Sequence, residues 1–233
     1  MPNSANGGGV PFSQSFPVAA GFTVTSALVF TASHAIVRHL GGDLHPLVIA
    51  FFSNFFSALF YVPLLMRIGI GTLRTEKFRL HVARSFINVA SLSTWYMALA
   101  LIPIADAAAL GLSAPLFLTI GAALFLGEAM KVRRWAAIGF GVLGALIIIR
   151  PGFETLNIGF LFVIMSGVFS AGTKLFAKHL SKWDSAITCS AWVAILQTPL
   201  SFILALFFWT TPTWTQLGWL AVVGILAALG PIT

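Results

Sequence analysis

Arg84, Asn88, Ser91 and Trp95 fall at i, i+4, i+7 and i+11, the spacing that places four side chains on one face of a helix. The set holds a fixed cation, an amide, a hydroxyl and an indole. Such a face can attract an anionic group, hydrogen-bond a polar solute and stack on a planar one. The same residues can instead tie one helix to its neighbours, Asn88 and Ser91 bonding across an interface at about 0.6–2 kcal/mol each while Arg84 joins a basic cluster. Type and spacing leave both readings open. Reactive chemistry is not expected, because the sequence has no HExxH, no G-x-S-x-G and no Walker-type loop. No cofactor or metal is expected either.

The elements that carry this face are long apolar runs. The 233 residues are 58% hydrophobic and 8% charged, against roughly 25% charged in a soluble domain. Runs of about 20 apolar residues cross a bilayer as helices, since lipid offers backbone groups no partners. The expected spans are 18–39, 46–66, 80–102, 105–126, 133–150, 158–179, 186–209 and 214–233. The fold class is therefore an all-α polytopic helical bundle in a membrane, and residues 1–16 read as a disordered, uncharged tail. The eighth run stops at Thr233 without a flanking charge, which marks the sequence as a fragment or truncated reading frame.

A net charge of +7 suggests nucleic acid in a soluble chain, but here the basic residues sit in short connectors and read as topology, so no nucleic-acid partner is expected. Eleven of the 13 Lys and Arg residues fall on one side: Arg67, Arg74, Lys77, Arg79 and Arg84, then Lys131, Arg133 and Arg134, then Lys174, Lys178 and Lys182. The positive-inside rule puts that side, and the N-terminus, in the cytoplasm. Arg38-His39-Leu40 closes span 1 as Lys178-His179-Leu180 closes span 6, and the residues before them are also alike. Spans five apart run in opposite directions, so a repeat of this kind is inverted, the usual plan of secondary transporters with the site at the repeat interface. Two units of five helices make ten. Residues 17–152 then form the first and residues 153–233 three helices of the second.

Further candidates follow. Pro115 lies at mid-depth in span 4 and is expected to kink it, with Ser113 nearby to satisfy or expose a carbonyl. Span 1 offers Ser26, on a face with Thr23 and Ser33, and His34 as a packing residue or proton carrier. Span 6 offers Ser170 between Ser166 and Thr173, and Tyr96 and Asn54 are additional contacts. Asp106 reads as a helix-start acid or as a proton or cation sensor near the entrance, Glu128 as an ion partner of its basic neighbours, and Cys189 as a packing residue. Ala137, Gly141 and Ala145 form a small-residue series for close helix packing.

The stretches Asp106-Ala107-Ala108-Ala109-Leu110, Ala114-Pro115-Leu116-Phe117, Leu126-Gly127-Glu128, Gly139 through Gly144 and Arg150-Pro151-Gly152 resemble, in that order, the EamA-type drug/metabolite transporter superfamily. The resemblance covers about residues 18–233 and is most specific over 84–152. It implies ten helices in two inverted halves and a central cavity open alternately to either side. Ile102-Pro103-Ile104-Ala105-Asp106-Ala107 looks most like the branch linked with riboflavin or S-adenosylmethionine uptake. Helices 9 and 10 of that plan are absent from this sequence.

Two functions from different classes remain. One is a secondary transporter of a small organic metabolite, flat or charged, in the bacterial inner membrane. The other is a non-transporting truncated protein, or an assembly partner needing helices from another chain. An intramembrane enzyme is a distant third. Expected partners are the solute and the lipid bilayer, and a homodimer is compatible with the sequence.

Overall fold

The computed structural model describes residues 12–68, 73–126, 132–149 and 157–229. Among them the chain is helical, with no strand: α1 (Phe12–Leu40), α2 (Pro46–Ile68), α3 (Phe78–Leu101), α4 (Ile104–Gly111), α5 (Ala114–Leu126), α6 (Val132–Ile149), α7 (Ile158–Leu180), α8 (Ala186–Leu206) and α9 (Trp214–Leu229). This is an all-α helical membrane protein. Four segments are long and apolar enough to cross a bilayer on their own account: Pro46–Pro63, Ile104–Leu124, Ile158–Leu180 and Ile187–Leu206. The more polar α3 is instead enclosed, packing against α7, α8, α2 and α1. Leu40, Ile49, Leu99, Leu110, Val163 and Leu220, drawn from six helices, meet in the main apolar cluster around it. Helix α1 starts at Phe12, so residues 12–16 of the expected tail are helical, while residues 1–11 lie outside the described set, as do Glu128 and Lys131.

Helix ends are set by local chemistry. Pro46 opens α2, where its missing N–H is no loss. Asn157 caps α7 by accepting from Gly159 N–H, and Ser185 caps α8 by accepting from Thr188 N–H. The α1–α2 and α7–α8 turns share one backbone pattern. Gly41 N–H bonds Val37 C=O while Asp43 and Leu44 N–H bond Leu40 C=O; correspondingly, Ser181 N–H bonds Ala177 C=O while Trp183 and Asp184 N–H bond Leu180 C=O. The anchoring Leu40 and Leu180 are both buried.

The expected span 4 is not one kinked helix but two. The ring of Pro115 would strike the carbonyl of Gly111, four residues back, and Gly111 is where α4 ends. Ser113 N–H turns to Leu110 C=O, Leu116 N–H to Ser113 C=O, and α5 restarts with Pro115 in its first turn, where no N–H is needed.

Helix α9 docks on α2 through Gly224. A Cβ there would lie 2.5 Å from Phe56 Cβ and 2.8 Å from the Ser53 carbonyl oxygen, so only a bare backbone approaches this closely. Gly224→Val is expected to cost about 1–3 kcal/mol by overpacking and to lower the thermal midpoint of the detergent-solubilised protein. An unchanged midpoint would show that α9 does not dock here.

Candidate functional site: a polar stripe on the central helix

Helix α3 carries its four predicted residues along one face, and each reaches a different point of the surrounding wall. Arg84 Nη1 donates to the Cys189 carbonyl on α8 at 3.2 Å. Asn88 Nδ2 donates to Gln197 Oε1, also on α8, at 2.6 Å. Ser91 and Ser166 on α7 exchange bonds, each hydroxyl donating to the other's carbonyl at 3.1 and 2.9 Å. Trp95 Nε1 donates to His34 Nε2 on α1 at 3.0 Å. His34 is buried and takes Phe30 edge-on, with ring centroids 3.9 Å apart. Because its Nε2 accepts, the neutral ring carries its proton on Nδ1.

The indole of Trp95 lies over Gly111, where an added Cβ would come within 3.2 Å of the ring. The end of α4, just ahead of the Pro115 break, is therefore the floor under Trp95. Ser113 is half-buried at that break, and Pro115 is exposed. Ser26 and Ser170 are half-buried on α1 and α7. Tyr96, next in sequence to Trp95, is buried in the main apolar cluster, against which Trp95 also packs, and its side chain hydrogen-bonds with Ser53 on α2. Asn54 on α2 is buried, and its carbonyl accepts from Thr198 on α8. Asp106 sits in the first turn of α4, where the helix dipole favours an acid.

Several buried polar atoms of α2 and α3 have no hydrogen-bond partner among the described residues: Asn54 Nδ2, Arg84 Nε, Ser85 Oγ and Ser93 Oγ. Unsatisfied groups of this kind are rare in native interiors and call for an explanation. The interior is thus richer in hydrogen-bonding capacity than its own contacts consume.

Different residues hold the two ends. At the end bearing most of the Lys and Arg, Asp184 Oδ2 accepts from Thr75 Oγ1 at 2.8 Å and faces His81 Nε2 at 2.9 Å. At the other end Arg38 donates to the carbonyls of Leu99 and Ile102, completing the C-terminus of α3. Asn157 donates to the Leu101 carbonyl there. His45 stacks on Phe208 with centroids 4.1 Å apart, and partial burial lowers its pKa from the usual histidine value. Sequence reasoning missed Gln197, His81 and Asp184. A lone Gln inside the apolar run of α8 was the available signal for the first; the other two were absorbed into the topological reading of their surroundings.

Residues 18–150 match the EamA-like transporter family. The chain belongs to that family. Similar proteins include one named as an S-adenosylmethionine uptake transporter of Rickettsia bellii, 27% identical over 91% of this chain and 72% of its own length. A riboflavin transporter of Vibrio cholerae is 32% identical over 86% of this chain and 68% of its own. A pseudopaline exporter of Pseudomonas aeruginosa is 25% identical over 90% and 74%. A solved crystal structure aligns with a TM-score of 0.58 at 17% identity, over 90% of this chain and 75% of that one, and speaks to the fold alone. This EamA-family chain is thus a multi-pass membrane protein of a transporter family, not of an enzyme family.

Asn88 and Gln197 are expected to be coupled. A double-mutant cycle with Asn88→Ala and Gln197→Ala, read by unfolding in mixed micelles, should give about 0.6–2 kcal/mol of interaction energy. A coupling of zero would mean that the pair does not form.

Proposed function

We propose that this protein is a secondary transporter that moves a small organic metabolite across the bacterial inner membrane by alternating access, with the α3 stripe as the wall of the solute path. The observation that carries this reading is the stripe itself: four polar side chains bonded to α1, α7 and α8, with unspent capacity at Arg84 Nε and nearby on α2. Interhelical bonds in a bilayer are worth little net, so a solute that offers the same partners exchanges for them at small cost. In this reading Trp95 stacks on a planar ring, Asn88 and Ser91 bond its polar edge, and Arg84 draws an anionic group. Tyr96, Ser113, Pro115, Ser26 and Ser170 shape the surrounding wall. Relatives named for riboflavin and S-adenosylmethionine point to a flat or charged metabolite.

The same proposal includes two inverted units, residues 17–152 and a second beginning at 153. The packing supports it. Helix α3 packs on α7 as α9 packs on α1, α3 on α8 as α9 on α2, and α2 meets α8 at the centre. The matching turns at Leu40 and Leu180 fall at equivalent places in the two units.

In proteoliposomes holding the full protein, a solute screen that includes riboflavin and S-adenosylmethionine should find saturable uptake. Trp95→Leu and Asn88→Ala should each lower it about tenfold, the loss of one stacking or hydrogen-bonding contact. Phe86→Leu, on the exposed side of α3, should be near neutral. Normal transport by both stripe variants at equal expression would make α3 a packing helix.

The basic end is assigned to the cytoplasm. In a Cys189→Ala background, a cysteine placed at position 182 should react with an impermeant maleimide only from the cytoplasmic face. Ready labelling from outside would reverse the orientation.

A further inference from the structure

We propose that Asp184, held by Thr75 and His81, is the latch of the gate at the basic end, and that these contacts part when the transporter opens on that side. The proposal rests on the alternating-access reading. Asp184 lies in the turn between α7 and α8, whereas Thr75 and His81 belong to the segment that starts α3, so one carboxylate joins the two halves. The contact is internal, with side-chain exposures of 0% for His81 and 8% for Asp184. Both partners meet the same oxygen, Oδ2. Thr75 is itself fixed, because its Oγ1 accepts the Lys77 backbone N–H while donating to Asp184. Two further contacts join the same elements. The ammonium of Lys77 sits 4.9 Å from the ring centre of Trp183, and Trp192 Nε1 donates to the Leu73 carbonyl at 3.0 Å.

The latch stands between the stripe and an open cleft. Arg84, the innermost stripe residue, is one helical turn beyond His81 and bonds the Cys189 carbonyl. On the other side lies a cleft of about 540 Å³ lined by Arg74, Thr75, Glu76, Lys77, Trp183 and Asp184. Asp184 therefore forms the boundary between the buried interior and that cleft. The strain is also on the closed side. His81 Nδ1 is buried with no partner among the described residues, a cost that is relieved when the end opens and water reaches the ring.

The opposite end carries a looser version of the device. Asp43, in the matching turn between α1 and α2, accepts from Gln216 Nε2 at the start of α9, at 3.3 Å and exposed to solvent. A turn aspartate that grips the start of a helix from the other half thus occurs twice. It is short and buried only at Asp184, so this structure is sealed at the basic end.

Cys189, the sole cysteine of the sequence and a buried residue, is the built-in reporter. In inside-out vesicles with the basic end exposed, an impermeant maleimide should label it slowly. Asp184→Ala should raise the rate about tenfold, the effect of losing hydrogen bonds to a charged group. Thr75→Val, which removes one of the two contacts, should raise it by a smaller factor. Asp184→Glu should restore slow labelling, and Asp43→Asn should leave it unchanged. Asp184→Ala should also change maximal uptake more than the half-saturating solute concentration, because the gate does not touch solute. Unchanged labelling in both Asp184→Ala and Thr75→Val, each monodisperse in detergent, would overturn the latch. So would labelling that Asp184→Glu fails to slow. If labelling rises as expected but neither labelling nor uptake responds to any solute screened, the latch stands and the alternating-access reading fails.

Discussion

Everything in this bundle is arranged around one constraint: a helix with a cation, an amide, hydroxyls and an indole along one side has to be kept out of lipid. Polar groups exposed to hydrocarbon are costly, so α3 is enclosed by α1, α2, α7 and α8. The apolar outer helices supply membrane solubility, and α3 supplies the connections between them. Three of its stripe contacts come from α7 and α8 and one from α1, so this helix ties the first and last parts of the chain together through polar bonds, beside the packing of α2 on α8 and α9.

That arrangement explains the unusual economy of the interior. A purely structural core would satisfy its polar atoms or replace them with apolar ones. Here Arg84 Nε, Asn54 Nδ2 and the hydroxyls of Ser85 and Ser93 remain unmatched among the described residues, while the bonds that the stripe does form run between helices. Such contacts are readily exchanged. That is what the proposed solute path requires of its wall.

The reach of sequence reasoning follows from the range of the forces involved. The apolar runs are a local property, and the helices formed within a few residues of where the runs lie. The face shared by Arg84, Asn88, Ser91 and Trp95 is likewise fixed by helical geometry. What those residues touch is not local: Gln197 and Ser166 are far along the chain, and no spacing rule connects them to Asn88 or Ser91. Pro115 was half legible. Its disruption of span 4 followed from the missing N–H and the ring's clash four residues back, but that the indole of Trp95 lies against Gly111 at the break is a contact no spacing rule gives. The pairing of His81 with Asp184 was hidden because both lie among basic residues, whose placement has a sufficient explanation in topology.

The paired turns have a practical corollary. Gly41-Gly42 in the first is replaced by Ser181-Lys182 in the second, yet the three bonds to Val37 and Leu40 recur there to Ala177 and Leu180. Neither glycine of the first turn is therefore there for its conformational freedom. A side chain at position 42 would meet nothing nearer than the His39 carbonyl oxygen at 3.8 Å. The turn is held by the buried Leu40, and its tip is only a bridge. Position 42 is thus a natural anchor for a fluorophore, an epitope or a rigid fiducial domain for imaging, attached by a stiff two-helix junction and clear of the polar stripe.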